Sequence, residues 1–376
     1  MECSDGSGVL ELHPDGYGFL RSEVTMASTS RDIYISAAQV RRFGLRSGDL
    51  VAGKVRPQRE GDRFAAMLYV TSVNGVPSEE LSQRVPFEEL TPAYPNRRIS
   101  LQSSPMGRVL DLVTPLGFGS RALVLCPPEA GKEQLLISLA NTITDSNPDA
   151  VVMLLLVEEL PEDVTMYREQ TRCRVLASTF DQTPDTHLRM ADLVLERSER
   201  LAEQGKDVVL LVDSLTRLSK VFTSSGAQQG RAMPGMVSPA SLYRAKRLFG
   251  AARRLTEGGS VTIIGIMNVE NGNRVDDSVV EEFRGTANSV IVLDASAAAR
   301  GLSPALNLTM SVTRRTELFS TKEQQEGYAL VQSNVVKALP QVQALQQLQS
   351  FVDKTSDNDE LYVRLKSWVE LAQKTK

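Results

Sequence analysis

Long apolar runs are missing from this 376-residue chain, and no apolar segment follows Met1, because the start MECSDGSGVLELHPDG is acidic and polar. A membrane span takes about 20 apolar residues in a row, so neither a transmembrane helix nor a secretory leader is expected. Histidine occurs only twice, at His13 and His187, which argues against a histidine-built metal site. Cysteine occurs three times, at Cys3, Cys126 and Cys173. An odd, widely spaced set gives neither zinc spacing nor a disulfide framework, and fits a reducing, cytoplasmic setting. A surplus of one charge is also lacking: 42 Lys and Arg stand against 46 Asp and Glu, for a net charge of -4. Taken globally, that balance offers nothing to a nucleic acid. What remains, 41% apolar and 23% charged residues over this length, is the composition of a folded chain of two or three domains.

The texture changes along the chain. Residues 1–78 read as short alternating strands (VLEL, GYGFLRS, DIYIS, DLVAGKV, FAAMLYVTSV) punctuated by Gly, Pro and Asp, which predicts a small β-barrel of the OB or cold-shock kind. Residues 79–105 are Pro-rich with little periodicity and read as a linker. From 106 to 376, apolar strands alternate with amphipathic helices, which predicts a mostly parallel sheet with crossover helices in an α/β domain. Late strands are expected at SVTIIGIMNV, SVIVLD and LTMSVT, and helices in the tail, with Trp368 in an apolar stripe.

Strand ALVL, then Cys126-Pro127-Pro128-Glu129-Ala130-Gly131-Lys132-Glu133-Gln134, then a helix, has the layout of a phosphate-binding loop. Main-chain N–H groups at a helix start cradle phosphate, and a lysine neutralises its oxygens. Only the Gly131-Lys132 centre fits the usual G-x-x-x-x-G-K-[ST] pattern; Cys126 replaces the first glycine and Glu133 the Mg²⁺-holding hydroxyl. A lone Gly-Lys is ordinarily a turn into a helix. Here two neighbouring strands also end in acids, VVMLLLV in Glu158-Glu159 and DVVLLV in Asp213, where a water-activating carboxylate and a metal-shell carboxylate belong. Glu133 could instead ligate Mg²⁺ directly. Beside phosphate, Glu133 and Glu129 would each repel, so nucleotide binding is expected and turnover is in question.

Counting by segment changes the charge argument. Residues 214–254 hold eight basic residues and no acid, and within them VFTSSGAQQGRAMPGMVSP forms a long loop centred on Arg231. A second loop, ENGNRVDDS, carries Arg274. In the barrel, Tyr17 and Phe19 fall on one face of a strand, bracketed by glycines, with Tyr34 and Phe64 on other strands. Residues 31–63 hold eight basic and four acidic residues. Stacked rings with a basic surplus are how single-stranded nucleic acid is held.

The stretches GYGFLRS, DIYIS, QVRRFGLRSGDLVAGKVRP, TPAYPNRR, RVLDLVTPLGFGSRALVLCPPEAGK, ASTFD, DVVLLVDSLTRL, KRLFGAARRLTEGGSVTIIG, VVEEFRGTAN and VTRRTEL together resemble the Rho family of bacterial transcription termination factors over nearly the whole chain. The resemblance implies an OB domain followed by a RecA-like motor, a hexameric ring of like subunits, and ATP with Mg²⁺ driving movement on single-stranded RNA. It implies RNA contacts from Tyr17, Phe19, Arg21, Asp32, Tyr34, Asp62 and Phe64 on the barrel, and from Arg231 and Arg274 in the ring channel. For the motor it implies Pro128 to Gln134 around the nucleotide, Lys132 on phosphate, Glu159 as the water-activating acid, Asp213 at the metal with Arg217 nearby, and Arg314 reaching a neighbouring subunit.

The departures cluster at the nucleotide. The family pattern Lys-Ala-Gly-Lys-Thr is here Glu129-Ala130-Gly131-Lys132-Glu133; the arginine expected after the catalytic acid is Leu160; and the arginine and aromatic expected beside adenosine are Gly301 and Ser303, with Arg300 one residue away. Three readings follow: an RNA-dependent ATPase acting in termination, an ATPase-deficient relative that binds RNA or modulates a standard Rho or RNA polymerase, and a structural ring or filament without turnover.

Overall fold

The computed structural model describes residues 3–59, 61–81, 84–225 and 242–374. Arg231, with the loop expected around it, and the side chain of Trp368 lie outside the described residues.

The first domain is a closed barrel. Strands β1 (Ser4–Leu12), β2 (Gly18–Arg21), β3 (Ile33–Ile35), β4 (Leu50–Arg56) and β5 (Ala65–Val73) pair in the order β3-β2-β1-β4-β5, with β6 (Val76–Pro77) folded back on β5. A parallel pairing of β3 with β5, Ile33 to Ala65 and Tyr34 to Ala66, closes it. Alternation sends Leu10, Leu20, Ile35, Val51 and Val70 inward, where they are buried. Helix α1 (Ala37–Phe43) plugs one end. Ser36 caps its start in a reciprocal box with Gln39, and Gly44 in the left-handed region ends it.

The second domain is an α/β sandwich. Helix α2 (Pro105–Val113) leads into β8 (Arg121–Cys126), α3 (Lys132–Ser146), β9 (Val151–Glu159), α4 (Pro161–Gln170), β10 (Arg174–Thr179), α5 (Pro184–Glu203), β11 (Asp207–Asp213) and α6 (Leu215–Ser225); β7 (Pro92–Ala93) lies in the connector before α2. After the undescribed segment come α7 (Tyr243–Gly250), β12 (Arg253–Leu255), β13 (Ser260–Asn268), α8 (Arg274–Arg284), β14 (Ser289–Val292), α9 (Ala295–Ala298) and β15 (Val312–Thr313). Helices α10 (Lys322–Val331), α11 (Gln341–Asp353) and α12 (Asn358–Lys374) close the chain. The sheet runs β10-β9-β11-β13-β8-β14-β15, parallel up to β14. Helices cover both faces, so β9 and β11 are apolar at nearly every position rather than at alternate ones. Of the segment LTMSVT only Val312–Thr313 is strand; Ser311 turns back to bond Asn307 and the Val292 N–H. Arg108, buried on α2, donates to the carbonyls of Val352 (2.9 Å) and Thr355 (2.6 Å) and to Asn358, which pins α11 and α12.

Barrel and sandwich meet at α5. Arg46 forks onto Glu203 at 3.0 and 2.5 Å, Arg200 adds 2.9 Å, and the Phe87 N–H of the connector donates to the same carboxylate at 2.9 Å. Arg197, buried, donates to Gly48 O at 3.2 Å and Asn74 Oδ1 at 2.9 Å. Gly48 has φ +85°, and a Cβ there would stand 2.4 Å from the Glu196 carbonyl carbon. Gly75 has a similar φ of +83° with nothing within 4 Å. Gly48→Ala is therefore expected to cost about 2 kcal/mol or more in urea unfolding, and Gly75→Ala about 1 kcal/mol, the difference being the collision with α5.

Candidate nucleotide corner and nucleic-acid face

Parallel strands place the carboxyl ends of β8, β9, β11 and β13 along one edge, where α/β domains take their ligands. Cys126 ends β8, buried, and burial pushes its thiol up to about 12, so it is an inert wall. The loop then climbs through Glu129 at φ +59° to Gly131 at φ +82°, which starts α3 with no side-chain cap. The first-turn N–H groups of α3 thus have no side chain accepting from them at the cap, as an anion cradle requires.

Lys132 lies at the centre of the charge network. Its Nζ is 2.8 Å from Asp213 Oδ2, 3.6 Å from Glu133 Oε1 and 3.8 Å from Glu159 Oε2. Burial alone would lower its pKa, but Asp213, Glu159 and Glu133 raise it above the ordinary lysine value. Arg217 donates to Glu159 at 2.6 Å, and although burial opposes its charge, Glu159 holds its pKa up as well. Asp213 is fully buried, and burial raises its pKa despite Lys132. Across this corner Asp213, Glu159 and Glu133 act on Lys132, and Glu159, Asp213 and Glu158 on Arg217, so the acids outnumber the two cations. Asp163, on α4, has its pKa raised by burial and then by Glu159 and Glu133.

Two cavities open from the loop. One of about 280 Å³ is lined by Pro127 through Glu133 and by Asn268, Val269 and Asn271 from the end of β13. The other, about 640 Å³, lies between the start of α3 and residues 301–305, with Gln134, Met106 and Met166 in its wall and Gly301 and Ser303 leaving it open. The β13 residues were not picked out from sequence; only the strand order, with β13 beside β8, reveals them. Leu160 follows Glu159 and is 43% exposed, an apolar side chain at the rim of a charged corner. Arg314 is elsewhere: exposed, it lines a separate cavity of about 220 Å³ with Arg315, Arg121 and Tyr94, beyond β14.

The fit to a nucleoside triphosphate and its divalent cation is divided. Lys132, the loop N–H groups and Asp213, whose Oδ1 has no hydrogen-bond donor, suit phosphate and a hydrated cation. Glu133, half exposed in the first turn of α3, and Glu129 on the loop do not suit phosphate. Removing the lysine isolates Asp213. Lys132→Met is expected to cost about 3 kcal/mol at neutral pH, because a buried carboxylate then has no partner. Since the native Asp213 pKa lies above its unfolded value, its charge penalises folding increasingly as pH rises and not at all once it is protonated. The deficit of Lys132→Met should shrink as pH falls, and Asp213→Asn in the same chain should recover most of it, both read by chemical unfolding across pH.

On the barrel, Tyr17, Phe19, Tyr34 and Phe64 form one half-buried cluster. Ring centroids are 5.9 Å apart for Tyr17–Phe19, 5.7 Å for Tyr17–Tyr34, 6.1 Å for Phe19–Tyr34 and 4.9 Å for Phe19–Phe64. The register sets this: Phe19 pairs with Tyr34 across β2 and β3 while Leu20 points inward. Arg21 and Asp32 lie beneath the rings as a buried ion pair, with Glu11 also on Arg21 at 2.7 Å. Asp62 is held by Arg56 at 2.9 Å. Arg274 opens α8, exposed, capped from Asn273. Of the basic residues in 214–254, Arg217, Lys220 and Lys246 are paired with Glu159, Asp276 and Glu282, so that segment's positive field is partly cancelled by acids distant in sequence.

Comparison with known proteins agrees with both halves. Residues 6–79 match the family model described as Rho termination factor, RNA-binding domain, and residues 107–313 match that of the ATP synthase alpha/beta family, nucleotide-binding domain. Transcription termination factor Rho of Bacillus subtilis is 46% identical over 320 residues, covering 84% of this chain and 75% of that protein. The Rho of Thermotoga maritima is 41% identical over 359 residues, covering 94% and 84%. Among solved structures, an ATPase from a bacterial type III secretion system superposes with a TM-score of 0.61 at 20% identity over 74% of this chain and 88% of that one, a likeness of fold. Identity at this level over most of both chains, with barrel and α/β domain in the same order, makes this chain a member of the Rho family of transcription termination factors.

Proposed function

We propose that this protein is an RNA-binding ring subunit acting in transcription termination, whose ATP turnover is curtailed at its phosphate loop. The observation that carries this reading is the imbalance at the corner: Lys132 is held by Asp213 at 2.8 Å, and Glu133, in the first turn of α3, stands 3.6 Å from it. On this reading Tyr17, Phe19, Tyr34 and Phe64 take bases, Arg21, Asp32 and Asp62 shape that face, and Arg274 with Arg231 reaches RNA in the ring channel. Lys132, the 128–134 loop and Asp213 hold what nucleotide and Mg²⁺ bind; Glu159 and Arg217 keep the water-activating position, and Arg314, remote from its own loop, serves a neighbouring subunit of a hexamer. A standard Rho or RNA polymerase is the expected partner for such a subunit. A second reading, a working RNA-dependent ATPase with Glu133 on the metal, draws support from the retained Lys132, Glu159, Asp213 and Arg217 cluster.

Phosphate release with and without pyrimidine-rich single-stranded RNA, on protein free of ordinary Rho, separates the two. We expect no RNA-stimulated release from the native chain, and ATP affinity raised about tenfold or more by Glu129→Lys with Glu133→Thr, since the two changes together remove a solvent-screened repulsion of about 1.4 kcal/mol. RNA-stimulated release by the native chain would establish the second reading.

A further inference from the structure

The turn before the aromatic strand carries one more ring. After β1 ends at Leu12, His13-Pro14-Asp15-Gly16 reverses the chain: the Gly16 N–H donates to His13 O at 2.8 Å, and the His13 N–H donates to Tyr17 O at 2.7 Å. Gly16 takes φ +87°, which the tight return requires. These bonds continue the β1–β2 register, in which Glu11 faces Phe19 and Leu12 faces Gly18, so His13 and Tyr17 stand opposite each other on the outward face. Their rings are parallel, with centroids 4.5 Å apart and planes 12° from one another. The imidazole is fixed from the turn as well: Nδ1 accepts the Asp15 N–H at 3.3 Å and lies 3.2 Å from Asp15 Oδ2. Its side chain is 45% exposed, so the ring has a face free of protein.

We propose that His13 is a nucleobase-binding residue, the end position of the barrel's stacking platform, which lengthens its single-strand footprint by one nucleotide. Tyr17 already meets Phe19 and Tyr34 edge-on or tilted, and Phe19 leads on to Phe64, so the rings form a path rather than a patch. His13 extends that path beyond Tyr17, in a plane suited to face-to-face contact with a flat base. Hydrogen bonds on both sides of the ring's residue hold it in place before any ligand arrives, so little freedom is lost on stacking. This inference rests on the reading of the barrel as an RNA site.

The test uses the full chain and labelled oligocytidine RNAs of about two and about six nucleotides, read by fluorescence anisotropy without nucleotide. His13→Ala should weaken the longer RNA roughly fivefold or more, the equivalent of one stacked base, and leave the shorter one unchanged. His13→Phe should stay within about twofold of the native chain, because it keeps the flat surface while losing the contacts to Asp15. Tyr17→Ala serves as the reference for the site itself. If Tyr17→Ala loses binding and His13→Ala does not, the inference is wrong and the RNA reading stands. If neither changes affinity, the RNA reading of this face fails and takes the inference with it. If His13→Phe is as weak as His13→Ala, the ring is not a stacking surface and the inference is likewise overturned.

Discussion

Charge cannot be left uncompensated at the buried edge of a parallel sheet, and the nucleotide corner of this protein is organised by that constraint. Asp213 and Glu159 end their strands almost without solvent, so each must be met by a cation: Lys132 for the first, Arg217 for the second. The pairing gives each buried carboxylate one cation from the chain itself. It also means that any phosphate must draw Lys132 from a partner that already satisfies it. Glu133 adds to this in two ways. In the first turn of an uncapped helix, a carboxylate is favourable because the helix start carries partial positive charge. That same partial charge is what would attract phosphate, so the residue that steadies the helix start competes with such a ligand for it.

The barrel has been built on the opposite principle. Its polar supports, Arg21 with Asp32 and Glu11, are satisfied beneath the surface, and the rings above them are left half covered. Desolvating such a face costs little, because its polar groups are already bonded to one another. One face of the molecule therefore leaves its rings open, and the other is occupied with its own charges.

Much of this was legible in the residues. Alternating barrel strands, continuous apolar runs for a covered sheet, and acids closing two of those runs all follow from local pattern, because side-chain period reports burial directly. What was not legible depended on distant partners. That Asn268 and Asn271 line the loop follows from β13 lying next to β8, and strand order in a parallel sheet leaves no local trace. The acid-free stretch 214–254 read as a positive field, yet Glu159, Asp276 and Glu282 reach into it from other elements. Helix α5 begins at Pro184, with Pro184-Asp185-Thr186 in its first turn. There the signal was present, since Pro at the first helical position after Thr183 marks a start, but the polar, exposed first turn conceals the periodicity.

Glu203 gathers Arg46 from the barrel, Arg200 from its own helix and the Phe87 N–H from the connector. Helix α5 that carries it ends there, and the turn Gln204-Gly205-Lys206, with Gly205 at φ +81°, leads into β11. Barrel, connector and α/β domain cannot part there without leaving a nearly buried carboxylate short of partners. With Glu203 8% and Arg46 25% exposed, that joint is screened by salt less than a surface ion pair would be. One carboxylate thus clasps three separate parts of the chain.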